Sequence, residues 1–265
     1  MINLRITIIG RGNVGSHLYK AFSESDVDCS LIDSRTLKAE VSEVSEVSEV
    51  SEVSEVSLEP LKPLEPIKIY ILCVKDDVIG DVAAKLKAKL GDEAKNAIVV
   101  HTAGTMPMSL LQEHFANHGV FYPMQTFSKT KALAYPEIPI FLEASNESTM
   151  NALQTLARTV FHNITELSSE ERKILHVAAV FSSNFTNHMV TLADEQLRTI
   201  GLDYTVMLPL LKEVTDKLFH LPPQQAQTGP AIRKDLSVVN EHIALISDDM
   251  TKEIYRKISE SIMKE

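Results

Sequence analysis

The stretch "IIGRGNVGSHL", residues 8–18, spaces three glycines as Gly10, Gly12 and Gly15, a pattern suited to holding phosphate with the backbone alone. Gly10 allows a tight turn, Gly12 lets the backbone approach a pyrophosphate, and Gly15 lets a helix lie close on a strand. Glycines at this spacing also arise by chance, so the flanks decide. A β-branched run leads into Gly10 and a helical run follows from Val14, so that free N–H groups at the helix start face the phosphates. The stretch is therefore read as a dinucleotide turn, with Arg11, Asn13 and Val14 as its remaining members.

The choice of dinucleotide rests on the end of the second strand, "LIDSRT". Asp33 lies about 18 residues beyond Gly15, where an NAD site places a carboxylate on the ribose hydroxyls. Alternatively Ser34, Arg35 and Thr36 clamp a 2′-phosphate. An arginine between two hydroxyl residues favours NADP.

Other strand ends carry polar residues toward the same rim. "CVKDD" passes Val74 and Lys75 under the cofactor, or leaves Lys75 as a surface lysine. "VVHTAG" sets His101 and Gly104 in a loop, His101 being either a hydrogen-bonded structural residue or a site residue. "FYPMQTF" offers Tyr122, which could donate a proton or simply pack. On the helix "RKILHVAAVFSSNFTNHMVTLADEQL", His176, Ser183, Asn187 and Asp194 fall within about 40° of one another at 100° per residue. A stripe of His, Ser and Asn suits an enclosed polar cleft or an interhelical hydrogen-bond network better than open solvent. In "TGPAIRKD", Pro230 is expected at a helix start with Arg233 in its first turn, a place for an anionic group or a plain capped helix.

Alternating short apolar runs and helical stretches must position these residues. They imply an α/β fold, a Rossmann-type doubly wound and mostly parallel sheet, up to about residue 167. Among its helices "PMSLLQEHFANH" is expected as one. "SSEE" from Ser168 reads as a capping box, and only helical periodicity follows it, giving a smaller all-helical domain over 168–265. Residues 39–66 hold the triplet repeat "VSEVSEVSEVSEVSEVS" and a proline segment, read as a solvated low-complexity insertion. A period of three drifts about 60° per unit on a helix, so its valines form no stripe.

Bulk properties narrow the function. The 265 residues are 44% hydrophobic, enough for a proper core. A formal charge of −10 argues against non-specific nucleic-acid binding, although five of the charges are the repeat's glutamates at 43, 46, 49, 52 and 55. Cys29 and Cys73 lie in apolar runs as buried small hydrophobes, and no cluster has metal-ligand spacing. There is no apolar run of about 18 residues to span a membrane, and no room for a leader before the first strand, so a cytoplasmic protein is expected.

The fingerprint "GRGNVG", the "HTAG" strand end, "YPMQTF", "HVAAVFSSNFTNH" and "TGPAIRKD" occur in the order and spacing of a known family. The chain resembles, outside the repeat, the two-domain NADP oxidoreductases that join a Rossmann-like domain to a helical domain of unassigned function. More distantly it is similar to pyrroline-5-carboxylate reductases, deazaflavin-dependent NADP reductases and the 6-phosphogluconate dehydrogenase superfamily. The resemblance implies a nicotinamide over the sheet edge, a helical domain closing the cleft, and a homodimer built from those helices. In such a site His101, Tyr122, Asn184 and Asn187 are expected to orient the nicotinamide and substrate, with Tyr122 or His101 as proton donor and Arg233 as an anion anchor. Two departures matter: Tyr122 stands where many members carry histidine, and Ser183 falls at the catalytic lysine position of β-hydroxyacid dehydrogenases. Imine or cofactor reduction demands less acid–base help than alcohol oxidation. The expected function is NADP-dependent hydride transfer to or from a small substrate. The alternative is a nucleotide-binding sensor or interaction protein without turnover.

Overall fold

The computed structural model describes residues 4–37, 66–129 and 131–264. The low-complexity stretch at 39–66 thus lies, but for its last residue, outside the described residues. The chain divides into two compact units, Met1–Ala179 and Val180–Glu265.

In the first unit the strands are β1 (Leu4–Ile9), β2 (Asp28–Ile32), β3 (Ile67–Leu72), β4 (Ile98–His101), β5 (Asn117–Pro123), β6 (Ile140–Ala144) and β7 (Ile164–Glu166). They form one sheet in the order β2-β1-β3-β4-β5-β6-β7. β2, β1, β3, β4 and β5 run parallel, β6 pairs antiparallel to β5, and β7 runs parallel to β6. The central strands read as continuous apolar runs because both faces are covered. Ile6, Ile8, Ile69, Ile71 and Val100 pack with residues of α1 (Asn13–Ser23) and α3 (Glu147–Arg158). Ile9, Leu72 and Val99 turn the other way, onto α2 (Ile79–Leu90). This is the doubly wound, mostly parallel architecture expected from the sequence.

"PMSLLQEHFANH" is not a helix. It makes one 3₁₀ turn, Met108–Leu111, because β5 already begins at Asn117, paired with Ile98, and Phe115 must reach the core just before it. The capping box forms as expected: the Ser168 N–H donates to Glu171 Oε2 at 2.8 Å and the Glu171 N–H to Ser168 Oγ at 3.3 Å. It starts α4 (Ser169–Ala179), which belongs to the first unit, so that unit runs past the boundary read at Ser168. The reason is Arg172, which is 1% exposed and binds Glu143 of β6 and the Met106 carbonyl.

The long helix read from the sequence is interrupted. Val180–Phe185 forms wider π-type turns, in which the Thr186 hydroxyl donates to the Phe181 carbonyl five residues back, at 3.2 Å. A constant 100° step therefore does not carry from His176 to Asn187. The second unit continues with α5 (Thr186–Arg198), α6 (Leu208–Lys217), the single turn α7 (Pro223–Ala226), α8 (Leu236–Leu245) and α9 (Asp249–Ile262). Asp235 and Asp248 cap α8 and α9, accepting from the N–H groups of Val238 and Thr251. Pro230 starts no helix. Residues 230–234 form a tight loop, with Asp235 N–H on the Pro230 carbonyl at 3.0 Å and Lys234 at φ 57°. Arg233 consequently precedes the helix and gains nothing from a helix dipole.

Candidate functional site

Ligands of open parallel sheets lie beyond the carboxyl ends of the strands. At the end of β1 the chain turns through Gly10 at φ 118°, its N–H bonded to the Ile32 carbonyl at 2.9 Å. A Cβ on Gly10 would stand 2.3 Å from the Cys73 carbonyl oxygen, and one on Gly15 would stand 2.0 Å from the Gly10 oxygen. Both positions need glycine because backbone passes directly against them. Gly12 differs: a Cβ there would meet nothing within 4 Å, so it borders open space. Gly12 also forms the N-cap of α1 without a side-chain cap, and no acidic residue occupies the first turn. The first N–H groups of a helix have no partner within it, and here they lie beside a side-chain-free gap. That is the arrangement a pyrophosphate requires, so the residues fit a dinucleotide.

Around this turn Arg11 is exposed and Val14 packs at the edge of the core. The Asn13 amide donates to the Phe127 carbonyl at 2.9 Å, which ties that side chain to the 127 loop. At the end of β2 the Asp33 carboxylate accepts from the Arg35 backbone N–H at 2.9 Å and from its guanidinium at 3.0 and 2.6 Å. These bonds from Arg35 hold the Asp33 carboxyl well below the usual carboxylate range. Thr36 donates to the Asp33 carbonyl at 2.7 Å, so its hydroxyl proton is committed. What this corner presents outward is the guanidinium of Arg35, whose side chain is 89% exposed, with Ser34 beside it.

Beyond β3, Val74 lies against Gly10, and exposed Lys75 starts the 3₁₀ turn Asp76–Val78. Burial pushes the Cys73 thiol up to about 12, consistent with a packing role. His101, expected in a loop, is the last residue of β4 and has no exposed surface. Its Nδ1 accepts from the Ala103 N–H at 3.2 Å, so Nε2 carries the proton and donates to the Pro107 carbonyl at 3.4 Å. Burial, then the Arg172 charge, push it down to about 4. A neutral, fully enclosed imidazole with both nitrogens engaged is a structural residue, and the proton-donor expectation for His101 is corrected accordingly.

Tyr122 stands half-buried at the end of β5, and its hydroxyl lies 3.2 Å from Nδ1 of His176 on α4. The rings meet edge to face, centroids 6.3 Å apart. Gly104 lies under this pair, where a Cβ would approach His176 Nδ1 to 2.5 Å and Tyr122 Cε2 to 3.2 Å. Gly104, read from sequence as a cofactor contact, thus also makes room for two side chains. Arg172, one helical turn before His176, binds Glu143 in a nearly dry pair, and Ser169 Oγ donates to the same carboxylate at 2.7 Å. Sequence reasoning did not select Arg172 or Glu143. The available signals were a carboxylate inside the apolar strand "IFLEA" and an arginine four residues before a histidine on one helix face.

Asn184, Asn187 and Arg233 belong to the second unit. Both asparagines are exposed, and no described side-chain or backbone group hydrogen-bonds to their amides. Asp194, the last member of the expected stripe, is engaged by Arg198 at 2.9 Å and by the Tyr204 N–H at 2.9 Å.

This combination defines a class: an α/β dinucleotide-binding unit followed by a helical unit. Comparison with known proteins gives the family. A crystal structure titled "putative NADP oxidoreductase", from Bacteroides fragilis, is 32% identical, with a TM-score of 0.77 over 100% of this chain and 99% of that one. The chain belongs to that two-domain family. The family described as a domain of unknown function (DUF2520) matches residues 138–262. A protein of Thermotoga maritima is similar in fold at 18% identity, with a TM-score of 0.67 over 98% of this chain and 97% of that one. A reductive aminase from Aspergillus terreus, solved with NADPH4, cyclohexanone and allyl amine, shares the fold at 14% identity, with a TM-score of 0.60 over 99% of this chain and 93% of that one. The search of curated proteins found no match.

Proposed function

We propose that this protein is an NADP-dependent oxidoreductase that transfers hydride between NADP(H) and a small substrate, working in the cytoplasm as a homodimer. The observation that carries the reading is the turn of Gly10, Gly12 and Gly15, closed by backbone at its first and last glycine and open at Gly12 beside an uncapped helix start. Its backbone, from Gly10 to Gly15, would hold the pyrophosphate. Arg35, oriented by Asp33 and flanked by Ser34, would bind the 2′-phosphate, while Val74, Lys75 and Gly104 continue the same sheet edge. The bound cofactor supplies the hydride.

Tyr122 is the proton donor in this reading, because it combines a hydroxyl at the strand end with partial access, which His101 lacks. Asn184, Asn187 and Arg233 orient the substrate in this reading; the exposed, unengaged amides of the two asparagines support that role. The homodimer is supported by apolar side chains that the second unit leaves in solvent, such as Phe219 at 83% and Leu245 at 80% exposure.

The test combines NADPH binding with NADPH oxidation against cyclic imines and α-keto acids. Micromolar binding with turnover of one class is expected. Tight binding with every candidate silent would favour the sensor, and absence of binding would remove the cofactor itself.

A further inference from the structure

We propose that Tyr122 and His176 form a proton relay at the carboxyl end of β5. In the reductive direction hydride reaches the electrophilic carbon of a C=N or C=O bond while the Tyr122 hydroxyl gives its proton to the heteroatom. The phenolate oxygen takes the replacement proton from Nδ1 of the His176 imidazolium, which recovers its own from solvent. One hydride and one proton reach the substrate, and the pair returns to its starting state. The inference rests on the hydride-transfer reading above, and it adds a residue and an order of proton movement to it.

Three independent features support the pair. The heavy atoms already stand 3.2 Å apart, within reach of a hydrogen bond. Gly104 leaves room for both rings, since a Cβ there would stand 2.5 Å from the very nitrogen that faces Tyr122 and 3.2 Å from Tyr122 Cε2. The helix that carries His176 is fastened one turn earlier by Arg172 to Glu143 and the Met106 carbonyl, which fixes the imidazole's position against β5. Nε2 of His176 has no partner among the described residues, so water can take the proton left there, and the ring regains its Nδ1 proton through tautomer exchange and uptake from solvent.

The surrounding ionisable groups are compatible with this traffic. Arg172 on the same helix is neutralised by Glu143 of β6. His101 on β4 stays neutral under burial, and Asp76 beyond β3 accepts from Thr105, next to Gly104, at 3.2 Å. Burial raises the Tyr122 hydroxyl, with Arg172 opposing, so the phenol by itself stays protonated well above neutral pH. In this scheme reductive turnover needs His176 charged and Tyr122 neutral.

The experiment has a structural arm and a kinetic arm. In the first, the ring nitrogens of histidine-labelled, cofactor-free protein are followed by NMR against pH, for wild type and Tyr122→Phe. A displaced His176 titration in the variant supports the coupling; an identical titration overturns the pair, whether or not the protein turns over NADPH. In the second, NADPH oxidation is measured with a cyclic imine. His176→Gln keeps a hydrogen-bonding side chain but cannot titrate, so kcat should fall at least tenfold and its dependence on pH should change shape, with the NADPH Kd within twofold of wild type. Gly104→Ala should lower kcat similarly by wedging the rings apart. A wild-type pH profile in His176→Gln overturns the relay. Displaced NMR titration together with a silent imine assay would locate the failure in the hydride-transfer reading and leave the pair standing.

Discussion

Ile6, Ile8, Ile69, Ile71 and Val100 in the first unit have at most 5% of their surface exposed, whereas in the second unit Phe219, Leu245, Ile200 and Met250 remain 83%, 80%, 70% and 69% exposed. The sheet, covered on both faces by α1, α2 and α3, completes its own core. The helices from α5 onward do not: Ala231, Val239 and Ile246 are their only hydrophobic residues classed as buried among the described residues. Even the apolar cavity of about 410 Å³ between α5, the 228–231 loop and α9 is open to solvent. Burying one large apolar side chain is worth about 1.5–3 kcal/mol, so the second unit leaves much of its stabilisation unrealised in a single chain. That contrast fits the proposed reading, in which the first unit fixes atoms for chemistry and the second offers surface for association.

Breaking the first unit from within should have the largest effect. Arg172→Met leaves Glu143 without its cation in a nearly dry position, and removing one partner of a buried pair costs about 3–5 kcal/mol. Denaturant unfolding should register that loss, and hydrogen exchange should rise along β5, β6 and α4 while α6 and α9 are unchanged. Equal acceleration in both units would erase the distinction between them.

Acid should discriminate between the units nearly as strongly. His101 is pushed from 6.5 to about 4 in the fold, so between those values the unfolded chain binds a proton that the native chain refuses. Stability is then complete above pH 6.5 and is lost as pH falls toward 4, by about 2 kcal/mol at pH 5. His188, His220 and His242 of the second unit lie exposed rather than enclosed. Urea midpoints at pH 7 and pH 5 measure the effect, and His101→Gln should flatten it.

The association surface can be challenged directly. Phe219→Glu with Leu245→Glu should weaken self-association by about 10–100-fold, equivalent to about 1.4–2.7 kcal/mol, as followed by sedimentation. NADPH affinity and the first unit's unfolding should not change. A wild-type protein that sediments as a monomer would leave the exposed face to another partner.

What the sequence made legible divides along the same line. The strand periods, the glycine turn and the capping box at Ser168 are local signals, and each formed where the pattern put it, because apolar period and backbone chemistry act within a few residues. Elements whose outcome depends on distant packing were harder. The run at 107–118 has helical periodicity, yet β5 claims Asn117 for its pairing with Ile98, and the helix loses. Pro230 carries the composition of a helix start, but the loop closes through Asp235 onto the Pro230 carbonyl and defers the helix to Leu236. Among candidate site residues, the glycine roles were readable because they concern backbone space. His101 and His176 could not be told apart by sequence, since the one is enclosed by Pro107 and Ala103 and the other faces Tyr122 across a gap of long sequence separation.

The smallest expected effect is the most specific test of how the first unit treats its ligand. Arg35 and Asp33 form a solvent-exposed pair, and such pairs add little to stability, so Arg35→Ala should leave the unfolding midpoint essentially unchanged. Binding is another matter. The substitution removes the guanidinium that would meet a 2′-phosphate and simultaneously releases Asp33, whose carboxylate then faces the same corner uncompensated. NADPH affinity should fall about tenfold, or about 1.4 kcal/mol, because an Arg–phosphate contact is lost and a like charge is exposed. NADH lacks the 2′-phosphate and can accept no repulsion there; the freed Asp33 can bond its ribose hydroxyls, so NADH affinity should hold or rise. Titration of both cofactors against wild type and variant therefore reads the ratio rather than either constant. A ratio unmoved by Arg35→Ala would mean that the corner after β2 does not choose the cofactor, and that the preference, if the protein has one, is set elsewhere along the sheet edge.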